Sequence, residues 1–174
     1  MSDAVKVVAY QESWEDDYKR ESSRLLSIFR PTVCRIAHIG STAVPGLAAK
    51  PTIDVLITVA QMAAVDELNE AMQAAGYRVL GENGIAGRRY FVKRDAEGNH
   101  LVHVHVFAEG CADVDRHLAF RDYLRAHNDD ALFYGQLKKE LADACGDDRD
   151  RYAAGKDAVI KRIETCALQW WYNE

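Results

Sequence analysis

The chain offers no cysteine chemistry. Its four cysteines, Cys34, Cys111, Cys145 and Cys166, are scattered, with no C-x-x-C pair and no metal-ligand spacing. That excludes a disulfide scaffold or a zinc ribbon and points to reduced thiols in the cytoplasm. No stretch approaches the ~18 consecutive apolar residues that a bilayer span needs, and MSDAVKVVAYQESW lacks the apolar centre of a secretory signal. A cytoplasmic protein with no membrane partner is expected. Basic excess is missing as well: 22 Lys and Arg face 27 Asp and Glu, a net charge of −5. An extended nucleic-acid surface is therefore not expected, although a local basic pocket remains compatible with that balance. There is no internal repeat, low-complexity tract or flexible linker, and no G-x-x-x-x-G-K phosphate loop.

What is present suits one globular domain. With 174 residues, 48% hydrophobic and 28% charged, the chain can bury one proper core. Residues 5–9 read as a short strand or extended arm. Ser13 is placed to cap a helix whose first turn carries Glu15, Asp16 and Asp17 and which Pro31 ends. A β-rich stretch with Val33, Ile36 and Ile39 follows, then a Gly/Pro/Ala-rich loop, then a second strand from Thr52 to Val59. Residues 62–75 have helical apolar spacing (Val65, Leu68, Met72, Ala75) and close on Gly76. Tyr77–Leu80, Arg88–Arg94 and Leu101–Phe107 read as a meander, with Asp95–Asn99 as a hairpin connection. From Asp113 onward the pattern is helical: VDRHLAFRDYLRAH, then about 130–144, then a long helix capped by Asp147 or Asp148 and reaching about Trp171. Strand, strand, helix, meander predicts an α+β mixed sheet rather than a doubly wound one.

The chain is organised around IAHIGSTAVPGLAAKPTIDVLITV, residues 36–59. Gly40 permits close backbone approach, Ser41 and Thr42 supply hydroxyls, and free N–H groups in such a turn can hold a phosphate. In the strand that follows, Ile53, Val55, Ile57 and Val59 share one face, and Asp54 and Leu56 share the other. His103 and His105 leave their strand on one side while Val102, Val104 and Val106 line the opposite side. If the two strands belong to one sheet, Asp54, His103 and His105 gather on its open face. They can then act as a three-ligand metal site, as other cleft groups, or as local structural hydrogen bonders. Lys50 beside the loop is either a phosphate partner or a solvated lysine. Arg121 and Arg125 lie one helical turn apart, as do Tyr134 and Lys138, and Tyr152 and Lys156. In the strand Arg88–Arg94, Arg89 and Lys93 share a face with Phe91, while Arg88, Tyr90 and Val92 share the other, and one of the two sets faces solvent or a ligand.

The segment HIGSTAVPGLAAKPTID resembles the signature of the GrpB-like family, which is assigned to the nucleotidyltransferase superfamily. Tyr10…Trp14, HVHVF at 103–107, FRDYLRAH at 120–127, Tyr134-x-x-Leu137-Lys138 and Tyr152-x-x-x-Lys156 extend the likeness over nearly the whole chain. The resemblance implies a single domain over 1–174. A mixed sheet at about 32–108 would carry helices on one face, followed by a helical region at about 113–172. It implies a cleft holding a nucleotide or other phosphorylated small molecule through Gly40, Ser41, Thr42, Lys50, Arg89, Arg121, Arg125, Lys138 and Lys156. Asp54, His103 and His105 would be the catalytic or metal-binding groups. Some members are fused to dephospho-coenzyme-A kinase.

The superfamily pattern calls for Asp-x-Asp or Asp-x-Glu on the strand after the Gly-Ser turn, then a third carboxylate on a later strand. Here Asp54 meets Leu56, and the later strand offers His103 and His105. One carboxylate with imidazoles is a poor cage for the two hard cations of two-metal phosphoryl transfer. Three readings follow. One is nucleotidyl transfer with Mg²⁺ or Mn²⁺ arriving on the nucleotide. Another is a hydrolase with one Zn²⁺ on Asp54, His103 and His105. The last is a binding module without turnover. Nothing in the residues fixes an oligomeric state.

Overall fold

The computed structural model describes residues 4–174. Helix α1 (Ser13–Phe29) leads into strands β1 (Val33–Ile39) and β2 (Ile53–Val59). The short helices α2 (Ala63–Asp66) and α3 (Asn69–Ala74) precede β3 (Tyr77–Val79), β4 (Arg89–Arg94) and β5 (His100–Ala108). Helices α4 (Ala112–Ala126), α5 (Asn128–Cys145) and α6 (Arg149–Asn173) complete the chain. The five strands form one mixed sheet in the order β1-β2-β5-β4-β3, with β2 and β5 parallel and the other neighbours antiparallel. This is the α+β mixed sheet with a β3-β4-β5 meander that the element order predicts.

The valine and isoleucine face buries as expected. Ile53, Val55, Ile57 and Val59 pack with Val102, Val104, Val106 and Phe91 beneath Trp14, Leu25 and Phe29 of α1 and Val65 and Met72 of α2 and α3. Removing such side chains from water supplies about 25 cal/mol per Å² of apolar area. The opposite face is covered only at one end, where Ile39, Leu56 and Phe107 meet Val114 and Leu118 of α4. The rest of that face is left to the cleft. The C-terminal helices do not all lie on the sheet. They form a second core of their own, in which Tyr123, Leu124, Tyr134, Ile163 and Ala167 close over Val44 and Leu47 of the β1–β2 loop.

Local details depart from the expected boundaries for identifiable reasons. Ser13 is the first helical residue rather than the cap. Glu12 holds that place without a side-chain bond, and the turn closes through Trp14 N–H to Gln11 O and Glu15 N–H to Glu12 O. The single helix expected over 62–75 is two helices, because Leu68 N–H turns back to Val65 O at 2.9 Å in a tighter turn. Val65 and Met72, seven residues apart, both stay fully buried. Gly76, with φ of 90°, follows the end of α3 as read. Asp148 caps α6, accepting from Arg151 N–H at 3.0 Å. The N-terminal stretch is an extended arm: Val8 bridges Ala49, and Val5 N–H donates to Gly146 O at 3.0 Å. The four cysteines are free thiols. Among the described residues no helix is long and apolar enough to cross a membrane.

Candidate functional site

The turn after β1 requires Gly40. Its φ of 73° and ψ of −173° are open essentially to glycine alone, and a Cβ there would stand 2.6 Å from Asp54 Oδ2. Ser41–Ala43 then makes one 3-10 turn. Thr42 Oγ1 donates to Thr52 O at 3.3 Å and lies 2.9 Å from His38 Nε2. The hydroxyl has one proton to give, so His38 is the Nε2–H tautomer and donates to Thr42. Burial lowers the His38 pKa to about 4, which keeps it neutral. From α4, Arg121 Nη1 donates to His38 O at 3.1 Å and Arg125 Nε to Ala43 O at 2.9 Å, and both guanidinium groups also pair with Asp122. Arg121 and Arg125, read from the sequence as ligand contacts, thus clasp the turn from outside. Thr42 is largely buried in the turn, where it also lines the cleft beside Asp54.

Parallel pairing sets Asp54 opposite His103 and Leu56 opposite His105. Asp54, His103 and His105 therefore converge on one face, as the alternation requires. His105 Nε2 lies 3.1 Å and His103 Nδ1 3.4 Å from the same oxygen, Asp54 Oδ1. Arg88 Nη1 stands 3.5 Å from His105 Nδ1. An arginine can only donate, so Nδ1 accepts and Nε2–H points at Asp54. Burial alone would raise the Asp54 pKa, but the hydrogen bonds from the two imidazoles hold it well below the usual carboxylate range.

Among the described residues no group of three or more His, Cys, Asp or Glu side chains is arranged to hold a metal ion. Of the metal centre anticipated on Asp54, His103 and His105, the structure shows both imidazoles directed at one oxygen of the carboxylate. A resident pair of divalent cations does not fit. The position for the second carboxylate is Leu56, fully buried under α4.

Beside Asp54 opens a cleft of about 620 Å³, adjoined by a smaller chamber of about 230 Å³; both are lined by Ser41, Asp54 and Lys156. Lys50, Lys138 and Lys156 meet in the larger one. Lys138 Nζ lies 4.5 Å above the Tyr134 ring, while Lys50 and Lys156 stand 5.2 and 4.6 Å from the centre of the Tyr152 ring. Burial, with the neighbouring lysine charges, lowers Lys138 to about 7 and Lys156 to about 8. Burial and Arg149 lower Lys50. The smaller chamber holds His105, His117 and Phe120 beside the Arg116–Glu164 ion pair, whose N–O distance is 3.1 Å.

Lys50, Lys138 and Lys156 are thus brought together with Ser41, Thr42, Asp54 and His103 around the larger cleft, and Gly40 and His105 line the smaller chamber. Arg89 is not. It forks to Asp66 of α2 on the helix-covered side, with Nε–Oδ1 at 2.6 Å. Opposite parity places its neighbour Arg88 on the cleft side, where it donates to Asn83 O at 2.8 Å and Glu82 O at 3.1 Å. Sequence reading also missed His100, which a register shift in the β4–β5 pairing turns toward His103, 2.6 Å from Nδ1 to Nε2. His117 was missed too, although it sits in the apolar stripe Val114–Leu118 of α4.

A family model described as GrpB protein matches residues 4–165. UPF0157 protein YqkA of Bacillus subtilis is 46% identical over 166 residues, 95% of this chain, and the chain spans about half (48%) of that relative's length. A dephospho-CoA kinase of Mycolicibacterium paratuberculosis is 29% identical over 189 residues, covering 95% of this chain and 46% of the kinase. The crystal structure of GrpB from Enterococcus faecalis superposes with a TM-score of 0.91 at 41% identity, over 96% of this chain and 99% of the other. Cid1 poly(U) polymerase reaches a TM-score of 0.55 at 12% identity, over 79% of this chain and 43% of the other. That level of identity shows a nucleotidyltransferase-like fold and nothing finer.

Proposed function

The chain belongs to the GrpB family, and from that premise we propose that its cleft binds a nucleotide or other phosphorylated small molecule on a nucleotidyltransferase-like scaffold. One observation carries the reading: three lysines converge on a chamber whose central carboxylate, Asp54, already takes hydrogen bonds from two imidazoles. Partly desolvated ammonium groups that repel one another are relieved by a polyanion, and inside a low-dielectric cleft that relief is large. Ser41 and the Gly40 turn stand at the same wall. The names of Cid1, described for its UTP selectivity, and of the dephospho-CoA kinase relatives agree with a nucleotide or coenzyme-A-related ligand.

Nucleotidyl transfer is the finer proposal. Asp54 is then the protein carboxylate beside the Gly40–Ser41 turn, and any Mg²⁺ or Mn²⁺ is brought and largely held by the ligand's own phosphates. The binding reading stands without turnover. A hydrolase with one Zn²⁺ has less support, since the donor set it needs is not arranged around a common point.

Differential melting with pyrophosphate, ATP and coenzyme-A precursors, with and without Mg²⁺, Mn²⁺ or Zn²⁺, tests this. Ligands that bind only the folded state must raise Tm in a concentration-dependent way. The expected result is stabilisation by pyrophosphate and by at least one nucleotide, weakened in Lys156→Met by ~1.5–3 kcal/mol of binding free energy. Millimolar pyrophosphate and nucleotides that leave Tm unchanged would overturn the proposal.

A further inference from the structure

Among the described residues, five buried side-chain atoms have no hydrogen-bond partner, and three of them belong to residues that line the larger chamber: Lys138 Nζ, Tyr152 Oη and His100 Nε2. Buried polar atoms are rarely left unpaired, so three converging on one cleft mark contacts that a ligand completes. They also define its chemistry. His100 turns Nδ1 toward His103 Nε2, and His103 directs Nδ1–H at Asp54, so His100 Nε2 presents a lone pair and calls for a hydroxyl. Lys50 and Lys156 supply positive charge for a phosphate.

Lys138 is different. It is 2% exposed, faces an aromatic ring, and sits among cations with no carboxylate hydrogen-bonded to it. Desolvation and neighbouring positive charge favour the free-base form of such an amine, and the free base is a nucleophile. Its lowered pKa agrees with that. Tyr152 Oη, equally unpaired, is a proton donor in the same chamber.

Resting on the anion-binding reading, we propose that Lys138 forms an imine with a phosphorylated hydroxy-aldehyde or hydroxy-ketone, its phosphate on Lys50 and Lys156 and a hydroxyl at His100 Nε2. The Nζ lone pair attacks the carbonyl carbon, and the C=O π pair becomes an alkoxide protonated by Tyr152 Oη. The new ammonium returns one proton to that phenolate. The hydroxyl of the carbinolamine then departs as water with a proton from Tyr152, the nitrogen lone pair closes the C=N bond, and the phenolate recovers the last N–H proton. One amine and one carbonyl give one imine and one water, with no change of oxidation state.

Reductive trapping tests the step. The full chain is incubated with dihydroxyacetone phosphate and cyanoborohydride, and adducts are located by intact-mass and peptide mass spectrometry. The expected result is one adduct per chain at Lys138, blocked by pyrophosphate, absent with unphosphorylated dihydroxyacetone, and lost in Lys138→Met. Tyr152→Phe, which removes a hydroxyl that bonds to nothing, keeps the fold and slows adduct formation by about tenfold or more. It keeps the test informative if Lys138→Met fails to fold. Adducts spread over surface lysines, or indifferent to pyrophosphate, overturn the imine. Stabilisation by pyrophosphate without an adduct overturns it while leaving the anion-binding reading intact; neither response removes both.

Discussion

Lys138 shows how one residue sets stability and binding against each other. Its folded pKa of about 7 lies below the ordinary value near 10.5, mainly through burial and then through Lys156 and Lys50, with Asp54 partly opposing. Between those two values the unfolded chain holds the proton and the folded chain does not, so stability rises with pH across that window. Below pH 7 the folded protein bears the full penalty of a buried charge. Lys138→Met should therefore raise Tm at pH 7, with the gain shrinking as pH approaches 10, while pyrophosphate binding weakens. A melting series from pH 6 to 10 reads both ends. Gly40 makes the opposite case. Gly40→Ala places a side chain in a glycine-only conformation and against Asp54 Oδ2, and should cost ~1–3 kcal/mol in denaturant unfolding.

At the scale of the element, the sheet explains why a second acid is missing from β2. Leu56 lies on the same face as Asp54, yet α4 covers it with Val114 and Leu118, whereas Asp54 stands beyond that cover. Leu56→Asp should not build a metal cage. It should lower unfolding free energy by at least ~3 kcal/mol, because a carboxylate there is desolvated and unpaired. Calorimetric Mg²⁺ titration of whatever folds should show no gain in affinity.

Strand parity made Asp54, His103 and His105 legible in advance, since alternation fixes a face wherever one side is buried. The same parity could not choose between Arg88 and Arg89. That choice depends on Asp66, a short helix away, and on the loop carbonyls of Glu82 and Asn83. Arg121 and Arg125 look like an anion-binding stripe on α4. Only the packed position of the β1–β2 turn reveals that they hold backbone carbonyls. His100 was hidden by a pairing irregularity that leaves no mark in the residue pattern.

At the scale of the whole molecule, net charge and local charge disagree. The chain carries −5 overall, yet its cleft gathers Lys50, Lys138 and Lys156. Anion binding should therefore rest on a short-range field rather than on long-range attraction. The Debye length is ~8 Å at physiological salt, and buried charges are screened less than exposed ones. Raising NaCl from 50 to 500 mM should weaken pyrophosphate binding only modestly, by about tenfold or less in calorimetry. A larger loss would place the contacts on the surface.

The two chambers share a wall made of Ser41, Asp54 and Lys156. A charged guest in one compartment would change the field that a guest in the other compartment meets. Thermodynamic reciprocity makes the effect equal in both directions: whatever factor the first guest imposes on the second, the second imposes on the first.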